Sequence, residues 1–217
     1  MSAAPSVAQT RRGARASRVP SRDTLFAAVA ALVVVVGAVG IGLVGSAQPS
    51  RVVGAETAPP WPVPAVDDRL GRAELAGMQN VWGEDLAMHV HTHLSITVDG
   101  EAVTIPGDIG HDADTKLAAP LHTHDTSGIV HVESPRRESF VLGQLFTEWD
   151  VHLDAVSIGS LGPDDGLELT TFVDGSRWSG DPAGIRLSDF EDVALVLAPR
   201  GEFVTAPPAF AWPPDYR

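Results

Sequence analysis

The sequence predicts an α+β protein. An N-terminal transmembrane helix is followed by a compact, mainly antiparallel β domain with one amphipathic helix, for which a β-grasp-like arrangement is one candidate. Three observations predict it. Residues 24–44 carry no charge and are mostly apolar. Beyond them, short runs alternate apolar and polar residues with period two and close on Asp-Gly or Ser-Gly turns. One stretch, Glu138 to Trp149, instead places Val141, Leu142, Leu145, Phe146 and Trp149 near helical spacing.

Residues 1–23 form a basic tail, with Arg11, Arg12, Arg15, Arg18 and Arg22 and no acid before Asp23. Residues 24–44 have the length of about 20 apolar residues that crosses a bilayer, and the flanking arginines stay in the cytoplasm by the positive-inside rule. The expectation is therefore a single-pass plasma-membrane protein with everything after Val44 outside. Gly45-Ser46-Ala47 offers a cleavage site as the competing reading, but the apolar run exceeds the roughly 7–15 residues of a signal-peptide core. Residues 45–68 read as a Pro-rich linker, because Ala58-Pro59-Pro60-Trp61-Pro62-Val63-Pro64 favours extended polyproline II. Residues 69–206 form the His-rich extracytoplasmic domain, and 207–217 a Pro/aromatic tail placed to pack across it.

Within that domain, Leu70 to Val81 is a short helix or turn, interrupted by Gly71 and Gly77. Met88 to Val98 alternates nearly strictly and is a half-buried strand. Asp99-Gly100 turns the chain into a returning strand, Ala102 to Pro106. Residues 107–120 read as a loop. Leu121 to His124 and Ile129 to Glu133 form the next hairpin around Asp125-Thr126-Ser127-Gly128. The helix follows, with Ser139 as its expected N-cap. Leu167 to Val173 is a strand ending on a second Asp-Gly turn, and Val193 to Leu197 is a continuous apolar run suited to a central strand.

The chain has no Cys, which excludes disulfides, Cys-ligated zinc, thiolate copper and covalently attached haem. The net charge is −13. Beyond Val44 there remain ten basic against 27 acidic residues, a net −17. Such a surface repels nucleic acid and anionic lipid, so the expected partners are the lipid bilayer, through 24–44 alone, and no nucleic acid.

Six of the eight histidines lie in two segments, Met88 to Leu94 and Leu121 to Glu133. A spacing of two is the side-chain period of a strand, so His89, His91 and His93 share one face, as do His122 and His124. The second hairpin's register sets His122 opposite His131, with Cβ atoms about 4.5–5.5 Å apart. If the two hairpins are neighbours in the sheet, these faces coincide. Several imidazoles on one rigid face make a metal site, and all-imidazole donors suit Cu(II) or Zn(II). The expected ligands come from His91, His93, His122, His124 and His131. His89 and Glu133 are alternative ligands or orienting groups, and Asp125 is placed to hold an imidazole tautomer. His111, His152, Glu148, Asp150 and Asp154 read as solvated surface.

These residues leave three readings open. One is a metal-binding module for buffering, sensing or delivery. Another is a metalloenzyme that keeps an open coordination position in a concave site. The last is a metal-free adhesion or assembly module. Gly-x-Ser-x-Gly, His-Glu-x-x-His and Gly-x-x-x-x-Gly-Lys are absent from the sequence, so no catalytic residue is assigned.

The chain resembles a group of uncharacterised membrane-anchored bacterial proteins with a His-rich extracytoplasmic domain. The resemblance runs from His89 to Val151 and rests on four stretches: His91-Thr92-His93-Leu94, Val103-Thr104-Ile105-Pro106, Leu121-His122-Thr123-His124-Asp125 with His131-Val132-Glu133-Ser134-Pro135, and Phe140 through Phe146. It supports the domain boundary and implies no activity.

Overall fold

The computed structural model describes residues 51–216. The expected basic tail and membrane span lie outside the described residues. Among the described residues, no helix is long and apolar enough to cross a membrane. The fold is mixed α+β and mainly β. Its elements are α1 (Val66–Leu75), β1 (Met88–Val98), β2 (Glu101–Val103), β3 (His111–Asp112), β4 (Leu117–Ala118), β5 (Leu121–His122), β6 (Ile129–Ser134), α2 (Leu142–Trp149), β7 (Leu167–Val173), β8 (Ser176–Trp178) and β9 (Glu191–Pro199).

One sheet runs β5-β6-β1-β9-β7-β8, with β2 paired to β1, while β3 and β4 pair separately. The two Asp-Gly turns close as the sequence requires. Asp99 and Gly100 have φ of 49° and 82°, Asp174 and Gly175 49° and 73°. Positive φ at both central residues is the geometry that favours Asp-Gly in tight hairpins. The sheet departs from a purely antiparallel one at its centre, where β1 and β9 run parallel from Thr92↔Glu191 to Val98↔Leu197. The physical reason lies in β9. Val193, Leu195 and Leu197 bury one face in the main core, while Ala194 and Val196 bury the other with Phe172 under Val204 and Ala206. A strand covered on both faces is suited to a parallel neighbour.

Helix α2 lays Leu142, Leu145, Phe146 and Trp149 into the core with Leu94, Ile96, Val130, Val132 and Leu195. It starts later than Ser139. Val141 is held extended by a bridge to Arg186, and its N–H is accepted by the Gln144 side chain at 3.0 Å. The helix ends at Asp150 in the left-handed region, whose N–H returns to the last turn. Helix α1 begins at Val66 rather than Leu70, with Asp67 and Asp68 in its positive first turn.

The linker differs most from expectation. Val52 and Trp61 are buried. Ala55 pairs in parallel with Val151, its N–H donating to the Asp150 carbonyl at 3.0 Å and its carbonyl accepting from His152 at 3.1 Å. Trp61 meets Trp149 edge to face at 6.0 Å, and the Trp149 indole N–H donates to the Trp61 carbonyl. The folded domain therefore begins before residue 69. Two apolar side chains in a proline-stiffened segment find a core face at low entropic cost.

Glu148 is also placed otherwise than expected. It is 1% exposed, and neither carboxylate oxygen has a hydrogen-bond partner among the described residues. Burial pushes its pKa well above the usual carboxylate range, with the Arg72 charge only partly opposing. Its neighbour Gly110 has φ of 65°, and a Cβ there would come within 2.5 Å of both Glu148 Oε1 and the Leu121 carbonyl. Glu148→Met is expected to stabilise the protein by about 1–3 kcal/mol, since it removes two unsatisfied buried oxygens at similar volume. A lower midpoint in urea unfolding would contradict this.

Candidate metal centre

The sheet register builds the site. On β1 and β6, His91 pairs with His131 and His89 with Glu133. On β5 and β6, His122 pairs with the same His131. His91, His131 and His122 thus form one row across three adjacent strands. Their ring centroids are 4.6 Å apart from His91 to His131 and 5.1 Å from His131 to His122. His89, two residues before His91, falls on the same face, its ring 4.7 Å from that of His91. His124, just past the end of β5, turns back toward the row at 4.5 Å from His131 and 4.9 Å from His122.

Among the described residues, two sets of three imidazoles have one nitrogen of each ring within 4.8 Å of the others: His89, His91 and His131, and His122, His124 and His131. His131 belongs to both. Glu133 adds a carboxylate to the first. Its Oε1 lies 3.1 Å from His89 Nε2 and 3.5 Å from His131 Nδ1. His131 and the nearby imidazoles hold Glu133 down to about 2. His122 is oriented by its backbone. Its Nδ1 lies 2.8 Å from the Ala119 carbonyl, which assigns Nδ1–H as donor and leaves the Nε2 lone pair free.

Not every expected residue joins. His93 shares the parity of His91, yet its Nδ1 is 2.7 Å from Asp192 Oδ1. Its ring stacks on Phe210 with centroids 3.7 Å apart. Asp192 in turn accepts the Phe210 N–H at 2.9 Å. The tail thus packs across the domain, occupies His93 and brings Tyr216 to 4.7 Å from the His91 ring. Asp125 is exposed and caps its own turn by accepting the Ser127 N–H at 2.8 Å rather than holding an imidazole. His152 stays apart, next to Asp154.

His111, read from sequence as surface, is beside the cluster. Its ring lies 4.6 Å from that of His124 and 5.6 Å from that of His122. Two backbone hydrogen bonds lash its loop to the start of the second hairpin, Ala119 N–H to Gly110 and Thr123 N–H to Ile109. Arg69 holds the His111 carbonyl at 2.7 Å. The His111 Nδ1 is buried and has no hydrogen-bond partner among the described residues, with Asp108 Oδ1 at 3.7 Å. No period-two pattern links His111 to either segment, so only the packing of β3 reveals it.

In three of these rings, His91, His122 and His124, the surroundings favour the neutral form, the one that ligates a metal. Burial pushes His122 down to about 4 against the opposing pull of its Ala119 hydrogen bond. Burial, then the neighbouring His131 and His89, push His91 down to about 4. His124 is lowered by burial and by His131 and His111. Both numbered histidines are depressed below the ordinary value near 6.5, so the unfolded chain binds more protons between about pH 4 and 6.5. The stability of the metal-free chain is therefore full above about pH 6.5 and falls as the pH drops toward 4. The buried His122 alone contributes about 3 kcal/mol to that loss, and the half-exposed His91 less. Urea titrations of the chelator-treated chain at pH 7.5 and 4.5 test this; equal midpoints would refute it.

Two cavities are lined by the 55–72 segment with Trp149 to Val151, and by residues 51–56 with His152 to Asp154 and Asp181. Neither includes a histidine of the cluster. No family model, no curated protein and no solved structure matches this chain.

Proposed function

We propose that this domain binds a transition metal, Cu(II) or Zn(II), through its clustered histidines, and that it buffers, senses or delivers the ion outside the membrane in which residues 24–44 anchor it. The carrying observation is the in-register row His91–His131–His122, flanked by His89, His124 and Glu133. A strand row fixes the donors before any ion arrives, so little ordering is needed on binding. Imidazole donors without thiolate suit these two ions, and the general affinity order favours copper. The strand order, with a parallel central pair and antiparallel flanks, supports the β-grasp-like arrangement. The sequence of residues 1–44 supports the anchor.

The test is the metal content of the chain purified without an affinity tag and dialysed against micromolar Cu(II) or Zn(II). At least one ion per chain is expected, with loss in the His122→Ala/His131→Ala double variant. No retained ion, or equal retention by the double variant, would overturn the proposal. Deleting residues 24–44 is expected to move the protein from the membrane to the soluble fraction.

A further inference from the structure

We infer that the centre is dinuclear and chemically asymmetric, with His131 as an imidazolate bridge between two divalent transition-metal ions. This rests on the metal-binding reading above and goes further, to the number of ions and the donor set of each. The two triads meet only at His131. One nitrogen of that ring is already assigned by geometry, because Nδ1 faces His89 Nε2 at 3.4 Å and Glu133 Oε1 at 3.5 Å. The second set, on the β5 side, is left with Nε2.

Counting donors on each side gives two complete sets. His89, His91, His131 Nδ1 and Glu133 supply three nitrogens and one carboxylate. His122, His124 and His131 Nε2 supply three nitrogens, and His111, whose ring abuts His124 and whose buried Nδ1 has no hydrogen bond, supplies a fourth. Four donors per ion is the number that closes a tetrahedral site. One shared ion would need donors from both ends of the row, yet His91 and His122 sit on strands separated by β6. Two ions let every ring in the row ligate in place. Forming the bridge releases the remaining ring proton of His131 to solvent, and two divalent ions on one imidazole make that loss favourable.

The acidic surroundings suit this load. The domain carries a large negative charge, and Asp108 and Glu133 lie at opposite ends of the cluster. The carboxylate-containing centre is the harder of the two and takes zinc more readily relative to copper than its all-imidazole neighbour does.

The experiment uses the full chain in detergent, stripped by chelator and reloaded with Cu(II) at neutral pH. Bound copper is counted by elemental analysis, and spin coupling is read by electron paramagnetic resonance. The expected result is two ions per chain, with the mononuclear signal lost through coupling. The variants His89→Ala and His124→Ala alter exposed side chains, so both should fold. Each is expected to weaken one ion at least tenfold, leaving one ion with an uncoupled signal. Zero copper would overturn the metal reading itself. A single ion weakened alike by both variants, or two ions with uncoupled signals in the unmodified chain, would overturn the bridge and leave metal binding standing.

Discussion

Saturating Cu(II) or Zn(II) is expected to raise the melting temperature of the chelator-stripped chain by roughly 5–10 °C and to leave His131→Ala unmoved. Ligand binding to the folded state alone stabilises by about 2.7 kcal/mol at a hundredfold excess over Kd. For a folded unit of this size each kcal/mol shifts the midpoint by about 2–4 °C. His131 is the choice because it is the one ring in both triads. Its register with His91 on one side and His122 on the other means that its removal breaks the row at its middle. Loss of a buried ring will itself lower the melting temperature, so the quantity to compare is the response to metal within each variant. Equal melting with and without metal in the unmodified chain would count against metal binding. A full response in His131→Ala would place the ion elsewhere.

Trp149→Ala is expected to cost about 3–5 kcal/mol, the range for truncating a fully buried large aromatic. This corresponds to a fall in melting temperature of roughly 6–20 °C. Trp149 is 1% exposed and sits at the end of α2 against Phe146 and Trp61. The truncation removes its core packing, its edge-to-face contact and the hydrogen bond that ties the Trp61 carbonyl. The segment before α1 should then come loose and become sensitive to protease near residues 55–60. Trp61→Ala removes the same contact from the other side while leaving α2 in place, so it should loosen the segment at a smaller cost. If Trp149→Ala melts within a degree or two of the unmodified chain, the packing of residues 51–64 on the domain is not what stabilises it.

Much of the local structure was legible because its causes are local. Strand β1 runs from Met88 to Val98 as its alternation predicts, and β7 from Leu167 to Val173. The two Asp-Gly turns and the His122–His131 pairing also follow from short-range rules of period and turn geometry. The helix was visible from its apolar stripe, but its start was not. Ser139 is a good cap in isolation, whereas the bridge between Val141 and Arg186 keeps that stretch extended, and Arg186 lies far along the chain.

The sequence by itself therefore determined the strands, the turns, the acidic charge and the imidazoles that each hairpin offers on one face. The strands, turns and imidazole faces depend on residues close together in the chain, and the charge on composition alone. Tertiary structure alone decided which hairpins are neighbours, and with that which imidazoles meet. The pairing of β1 with β6 brought His89 and His91 to His131 and Glu133. The tail withdrew His93 by stacking Phe210 on it, and the short strand β3 added His111. Folding likewise moved Glu148 from an expected surface position into the core, where burial pushes its pKa up. These outcomes depend on long-range packing, where the free energy of covering apolar area selects among arrangements that local propensity leaves nearly equal.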